Sequence, residues 1–250
     1  MNFDGKVAIS TGAASGMGLL FAENFTDLGG NVVLCDINEN VLVEKTAAIN
    51  AKGKGRAIYA VCDVRDYSMV CAAVDMAVAE FGRIDVVVNF AGGAETRMCN
   101  SPGVFPDVPI EIYDWGIDVN LRGQLYFDHA VMKVMIKQKS GVIINIGSIT
   151  GIEGCASEVA YSSSKSGAMY GLTRSIALAG AEHGIRCNCI SPGPVLTRAD
   201  MAGMKTIMGR AAEPQEIIDV VLFVASDKAS YLTGENILVD GGRLITRIKQ

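Results

Sequence analysis

Apolar and polar positions along this chain follow two periods in turn. Short, almost continuously apolar runs lie at Val7–Ser10, Asn31–Asp36, Ala57–Val61, Asp85–Asn89, Val142–Gly147, Arg186–Ser191 and Ile237–Val239. Between them, apolar residues three and four apart predict helices over Gly16–Leu28, Asn38–Lys52, Tyr67–Phe81, Glu111–Gln138, Ala160–His183 and Pro214–Ala225. Runs such as Val86-Val87-Val88 and Val142-Ile143-Ile144 belong to strands covered on both faces. Strands of that kind alternating with helices predict an α/β fold, one doubly wound parallel sheet of about seven strands with helices on both sides. No repeat or linker divides the chain, so residues 1–250 are expected to form a single domain. Ligands of such sheets bind beyond the carboxyl ends of the strands.

Composition narrows the picture. Half of the 250 residues are apolar and a fifth are charged, and mean hydropathy is +0.30. No apolar stretch is long enough to span a membrane, and the start, Met1-Asn2-Phe3-Asp4-Gly5-Lys6, lacks the pattern of a secretory signal. The surplus of apolar residues is read as subunit interface, and a cytoplasmic protein is expected. A net charge of −5 argues against nucleic acid as a partner. The seven cysteines (35, 62, 71, 99, 155, 187 and 189) include no Cys-x-x-Cys and read as small hydrophobes of a reducing compartment. Neither His129 nor His183 has a metal-ligating partner at a telling spacing, so both read as structural or solvent-facing and no metal site is expected.

The candidate chemistry falls at the strand ends. The first strand runs into Thr11-Gly12-Ala13-Ala14-Ser15-Gly16-Met17-Gly18 and then a helix. Glycines there permit a tight turn and a close backbone approach to a pyrophosphate, whose charge meets the helix N-terminus. Asp36 ends the second strand, eighteen residues beyond Gly18. An acid at that place accepts from ribose hydroxyls and repels a 2′-phosphate, and Ala13–Met17 holds no Lys or Arg, so NAD is favoured over NADP. Tyr161 and Lys165 lie four apart on a predicted helix, on one face, with Ser148 thirteen residues upstream of the tyrosine. An ammonium beside a phenol favours phenolate, which makes Tyr161 a candidate acid and base and Ser148 a candidate donor to the same substrate oxygen.

From Lys6 to Gly242 these residues resemble the short-chain dehydrogenase/reductase family, a group with Rossmann-type folds. The resemblance rests on an ordered set: the Thr-Gly-x3-Gly-x-Gly turn at 11–18, Asp63, Asn89-Phe90-Ala91-Gly92, Asn120, Ser148, Tyr161-x3-Lys165, Pro192-Gly193-Pro194-Val195-Leu196-Thr197 and Val239-Asp240-Gly241-Gly242. It implies an NAD-dependent oxidoreductase with Asn120, Ser148, Tyr161 and Lys165 as catalytic residues. Lys165 would hold the nicotinamide ribose and lower the Tyr161 pKa, while Asn120 would kink its helix and hold a relay water. Cofactor contacts are implied for Gly12, Ser15, Gly16, Met17, Gly18, Asp36 and Ile37. Others are implied for Asp63 and Val64 at the adenine, Asn89, Ala91 and Gly92 at the adenosine ribose, Tyr161 and Lys165, Pro192 and Gly193, and Val195 and Thr197 at the carboxamide. Phe90 departs from the family's usual Asn, with altered packing expected. Three residues between Tyr and Lys, where enoyl reductases of the superfamily have six, imply an alcohol or ketone substrate.

Substrate identity lies in the loops. Met201, Met204 and Met208 could share one face of a helical lid within 194–212, or the helix could simply pack on the core. The Gly93–Pro109 segment is expected to form another rim, and Arg97 or Arg198 could grip a carboxylate. A polyol, sugar acid or hydroxysteroid is the expected substrate class. An acyl-carrier-protein ketoreductase, for which only Lys133, Lys137, Lys139 and Arg174 offer a basic surface, and a non-catalytic NAD-binding regulator remain alternatives. The resemblance also implies a homotetramer, paired through helices 111–138 and 160–183 and again through the C-terminal strand and tail 243–250.

Overall fold

A computed structural model describes residues 1–204 and 206–247, apart from the side chains of Asp200 and Arg247. The first half of the chain alternates β1 (Val7–Thr11), α1 (Gly16–Asp27), β2 (Asn31–Asp36), α2 (Glu39–Ala51), β3 (Ala57–Val61), α3 (Tyr67–Phe81) and β4 (Val86–Asn89). After β4 come a single turn, α4 (Glu95–Met98), and the pair α5 (Ile110–Ile117) and α6 (Gly123–Gln138). Then follow β5 (Gly141–Ile146), α7 (Thr150–Glu153), α8 (Val159–Gly167), α9 (Thr173–Gly180), β6 (Ile185–Pro192), α10 (Pro214–Ala225), β7 (Asn236–Val239) and α11 (Arg243–Arg247).

The seven strands form one sheet in the order β3-β2-β1-β4-β5-β6-β7, with every neighbouring pair parallel. The chain runs outward from β1 to β3, then returns to place β4 on the other side of β1. The direction of winding reverses there, which opens a crevice beyond the carboxyl ends of β1 and β4. Apolar residues on both faces of the strands explain the two cores. Phe21 and Phe25 of α1, Leu42 and Ile49 of α2 and Ile217 and Val221 of α10 fill one face. Val70 and Val74 of α3 and Phe127, Val131 and Met135 of α6 fill the other.

Local signals set the helix ends. Asp66 caps α3 by accepting from the backbone N–H groups of Ser68 and Met69, and Gly82 ends it at φ 76°. A capping box between Glu213 and Glu216, with Pro214 in the first turn, starts α10. The two longest predicted helices each contain a π turn, at 118–122 between α5 and α6 and at 168–172 between α8 and α9. Side chains that take backbone carbonyls account for both. Asn120 Nδ2 donates to Gly116 O at 2.8 Å, and Thr173 Oγ1 donates to Ala168 O at 2.7 Å. No helix among the described residues is long and apolar enough to cross a membrane.

Candidate active site

Two adjoining clefts open beyond the strand ends, of about 420 and 470 Å³, and share Met17, Phe90 and Gly92. The smaller is built by the turn from β1 into α1 and by the ends of β2 and β3. Its shape depends on missing side chains: a Cβ on Gly18 would lie 2.5 Å from Gly12 O, and one on Gly12 would lie 3.0 Å from the Ala91 backbone. Ser15 caps α1 without a side-chain hydrogen bond, and the first helical turn, whose N–H groups have no intrahelical partner, lines the cleft at Met17 and Gly18. Asp36 is held by Ala14 N at 3.1 Å and Asn38 N at 3.1 Å. Ile37 beside it leaves 71 % of its surface exposed. Asp63 and Val64 form the far wall with Arg65. Arg65 is the one cation in that wall among the described residues, and it forks onto Asp63 at 2.6–3.0 Å, holding the Asp63 carboxyl below its ordinary value. A backbone cradle at a helix N-terminus, an acid beyond β2 and a neutralised arginine fit a dinucleotide without a 2′-phosphate.

Asn89 departs from its expected place. Its side chain is buried, where Nδ2 donates to Asp128 Oδ1 at 2.8 Å and Asn145 Oδ1 at 2.9 Å. It therefore ties β4 to β5 and α6 and does not line either cleft, as its neighbours Ala91 and Gly92 do. Phe90 packs its ring on Phe21, centroids 5.8 Å apart, and forms the wall between the clefts.

Ser148, Tyr161 and Lys165 converge in the larger cleft. Lys165 is 2 % exposed. Its Nζ donates to Ile146 O at 2.7 Å and lies 5.5 Å from the centre of the Tyr161 ring. Ser148 Oγ accepts from Thr150 N at 3.1 Å. Asn120 is fully buried and pins the loop after β4: Oδ1 accepts from Gly93 N and Nδ2 donates to Gly93 O, each at 2.9 Å. A Cβ on Gly92 would sit 2.6 Å from Asn120 Oδ1 and 3.4 Å from Lys165 Nζ, so the glycine lets the two side chains approach the loop.

The electrostatics differ from the simple lysine–phenolate picture. Burial pushes the Tyr161 phenol above its ordinary value, and the adjacent Ser148 hydroxyl pulls it back. Burial also lowers Lys165 to about 8. The protein alone thus disfavours charge on both groups, with desolvation the largest cause in each.

In the larger cleft Arg97 and Arg198 stand with Glu158, Met201 and Met204. Met208 does not join them. Among the described residues the chain there makes only a 3₁₀ turn, Ala199–Gly203, and leaves Met208 64 % exposed. Lys205, within the same expected lid, lies outside the described residues, as do 248–250 of the tail. Pro192, Gly193, Val195 and Thr197 also line this cleft, fastened through Gly193 N to Val239 O at 2.9 Å and Thr197 N to Val195 O at 2.7 Å. Of the Gly93–Pro109 segment, Gly93, Ala94 and Arg97 reach this cleft.

Several functional neighbours escaped sequence reasoning. Arg243 of α11 pairs with Glu153 of α7 at 3.2 Å in the cleft wall, both side chains nearly buried. Gln124 Nε2 donates to Asn120 O at 2.7 Å and to Ile146 O at 3.1 Å, the carbonyl that also holds Lys165. Glu95 is fully buried against the start of α8. The Arg243–Glu153, Gln124–Ile146 and Glu95–Ala160 pairings are long-range and no local spacing announces them. His129 is used structurally, with Nδ1 against Tyr67 OH. No group of three or more His, Cys, Asp or Glu among the described residues could hold a metal ion.

Comparison with known proteins agrees with this arrangement. A family model described as enoyl-(acyl carrier protein) reductase matches residues 12–243. A trans-4-hydroxycyclohexanecarboxylate dehydrogenase from Sinomonas cyclohexanicum is 40 % identical, over 95 % of this chain and 92 % of that protein. A 3-oxoacyl-[acyl-carrier-protein] reductase from Thermotoga maritima is 35 % identical, over 98 % of this chain and all of that one. The crystal structure of an NAD+-bound xylitol dehydrogenase superimposes with a TM-score of 0.86 at 31 % identity, covering 97 % of this chain and 100 % of that chain.

Proposed function

Since the chain belongs to the short-chain dehydrogenase/reductase family, we propose that it is an NAD-dependent dehydrogenase that interconverts a secondary alcohol and a ketone. The observation that carries this reading is the convergence of Ser148, Tyr161 and Lys165 in a cleft that adjoins the glycine cradle. Bound NAD supplies the hydride acceptor. It would be held by the turn Gly12–Gly18, by Asp36 and by Ile37, with Asp63 and Val64 at one end and Pro192, Gly193, Val195 and Thr197 at the other. In alcohol oxidation Tyr161 takes the hydroxyl proton, and in ketone reduction it returns it. Ser148 donates a hydrogen bond to the same oxygen and so orients it. Lys165 would hold the nicotinamide ribose beside the tyrosine, and Asn120 fixes the loop at Gly93 on which this geometry depends.

The substrate is a polar secondary alcohol of the polyol or sugar-acid kind. Arg97, Arg198, Glu158 and the Arg243–Glu153 pair give the cleft charged walls, which suits hydroxyl and carboxylate groups better than a hydroxysteroid. An acyl-carrier-protein substrate is less well supported, because Lys133 of the basic cluster is engaged with Tyr67 through its ring and its hydroxyl. The intact set Asn120, Ser148, Tyr161 and Lys165 argues against a regulator without activity. The protein would act in the cytoplasm as a homotetramer. Exposed Ile117 and Leu125 on the α5–α6 helix, and Tyr170 and Leu178 on the α8–α9 helix, are candidate interface residues.

Purified protein, NAD and a panel of polyols and hydroxy acids, followed by cofactor absorbance, test the reading. Reduction of NAD with at least one member supports it. Tight NAD binding without turnover on any alcohol or ketone would favour a sensor instead. Light scattering of the eluted protein checks the tetramer, and a monomer would leave the exposed apolar residues unexplained.

A further inference from the structure

The helix that carries Tyr161 and Lys165 starts without a cap of its own: the side chain of Glu158, at its N-cap position, accepts no capping hydrogen bond. The cap comes from elsewhere in the chain. Glu95, fully buried, reaches across from α4 and places one carboxylate oxygen on each of two orphan donors. Oε1 accepts from Ala160 N at 2.8 Å and Oε2 from the backbone N–H of Tyr161 itself at 3.0 Å. No cation is paired with this buried acid among the described residues. The positive end of the helix is its counter-charge.

Its surroundings make the contact rigid. Thr96 Oγ1 donates to Ser157 O at 3.1 Å, a second tie between α4 and the segment entering α8. Gly116 lets the elements close up, since a Cβ there would meet Ala160 Cβ at 2.8 Å and Glu95 Cβ at 3.0 Å. Gly116 O is also a carbonyl that Asn120 Nδ2 takes, and Asn120 holds Gly93, two residues before Glu95. Hydrogen bonds from Asn120 to Gly93 and from Tyr161 N to Glu95, with the backbone step from Gly93 to Glu95 between them, therefore connect Asn120 to Tyr161.

We propose that Glu95 is a positioning residue for catalysis, which sets the Tyr161 backbone relative to Asn120 and the loop after β4. It does not touch the reacting atoms. Its effect is to fix the origin from which the phenol reaches the substrate oxygen, and a misplacement of the order of 1 Å is enough to slow chemistry by about a hundredfold. A carboxylate is needed because two backbone donors must be met at once. The amide of a Gln has one acceptor and would turn its NH2 towards the other N–H.

This inference rests on the catalytic reading of Tyr161, so the experiment runs Glu95→Gln and Glu95→Asp beside Tyr161→Phe. The kcat for alcohol oxidation is measured together with the NAD Kd, read from the fluorescence of Trp115, the sole tryptophan, which lines the smaller cleft. Glu95→Gln, folded by circular dichroism, should lose roughly ten- to a hundredfold in kcat with NAD Kd within about twofold. Glu95→Asp, which keeps both acceptor oxygens, should recover part of that loss. A Glu95→Gln enzyme within about twofold of the parent kcat overturns the proposal, as does a loss of NAD affinity that matches the loss of rate. Tyr161→Phe separates the two levels. If it keeps turnover, the catalytic reading fails, and if it is inactive while Glu95→Gln is normal, only the role of Glu95 fails.

Discussion

The two clefts are made from different materials. The one beside β1–β3 is largely backbone: its floor is a turn where Gly12 and Gly18 leave no room for a Cβ, and its one arginine among the described residues is neutralised by a neighbour two positions away. The one beyond β5 and β6 is walled by charged side chains drawn from distant segments, among them Glu153 and Arg243, ninety positions apart. The first recognises a fixed shape through main-chain geometry and a helix dipole. The second holds an arrangement of charges that exists only after the whole sheet has closed. Changes in the first should affect cofactor affinity alone, while changes in the second should affect substrate use and stability together.

Glu153→Gln is the most severe way to test that contrast. It removes the carboxylate from a pair whose side chains are 11 % and 6 % exposed, and breaking such a pair costs about 3 kcal/mol or more. Denaturant titration should show that loss, and the alcohol KM should rise while NAD Kd stays put. A weakened NAD affinity would blur the distinction between the clefts. Gly18→Ala probes the other side. Its Cβ would fall 2.5 Å from Gly12 O, so the turn must move to admit it, and the displaced cradle should weaken NAD by roughly a hundredfold by calorimetry, about 2.7 kcal/mol.

Asp128 provides a reference point away from both clefts. It is buried between Asn89 and Asn145, with Thr173 and Cys187 on the far side of Asn145, and burial raises it to about 7. The folded state therefore binds a proton that the unfolded state has released between the ordinary carboxylate range and pH 7. Folding stability should fall as pH rises through that window, by about 2–3 kcal/mol between pH 5 and pH 8. Asp128→Asn should flatten the dependence in thermal melts without changing NAD Kd. The smallest expected effect is at Asp36, which is partly exposed. Asp36→Ala should narrow the preference for NAD over NADP by about tenfold, the weight of one like-charge contact near a surface, as measured by paired kcat/KM values.

The same contrast explains what was legible in the sequence. The sheet was readable because Val86–Val88 and Val142–Ile144 are apolar on both faces, and no observed strand end differs from the expected one by more than a residue. The glycine turn, Asp36 and Tyr161-x3-Lys165 were readable because each is a short-range pattern tied to one element. The break at Asn120 was implied by the resemblance and appears as the π turn at 118–122, but the turn at 168–172 was not legible, since a single helical period covers 160–183 and only the bond from Thr173 to Ala168 O reveals it. Glu95 was invisible for a stronger reason. It sits 65 positions before Ala160, in a glycine- and proline-rich segment that gives an acid no evident partner. Asn89 misled for the converse reason, because its place in a motif suggested the cleft while the pleat of β4 turned its amide inward.

On the proposed reading, Tyr161 moves the proton in a cleft where burial disfavours its ionised form. The most direct measurement is the kcat of Tyr161→Phe with a substrate of the parent enzyme, alongside its NAD Kd. A loss of about 10²–10⁴ in kcat with NAD affinity within about threefold is the predicted result. Turnover near that of the parent enzyme would contradict the account.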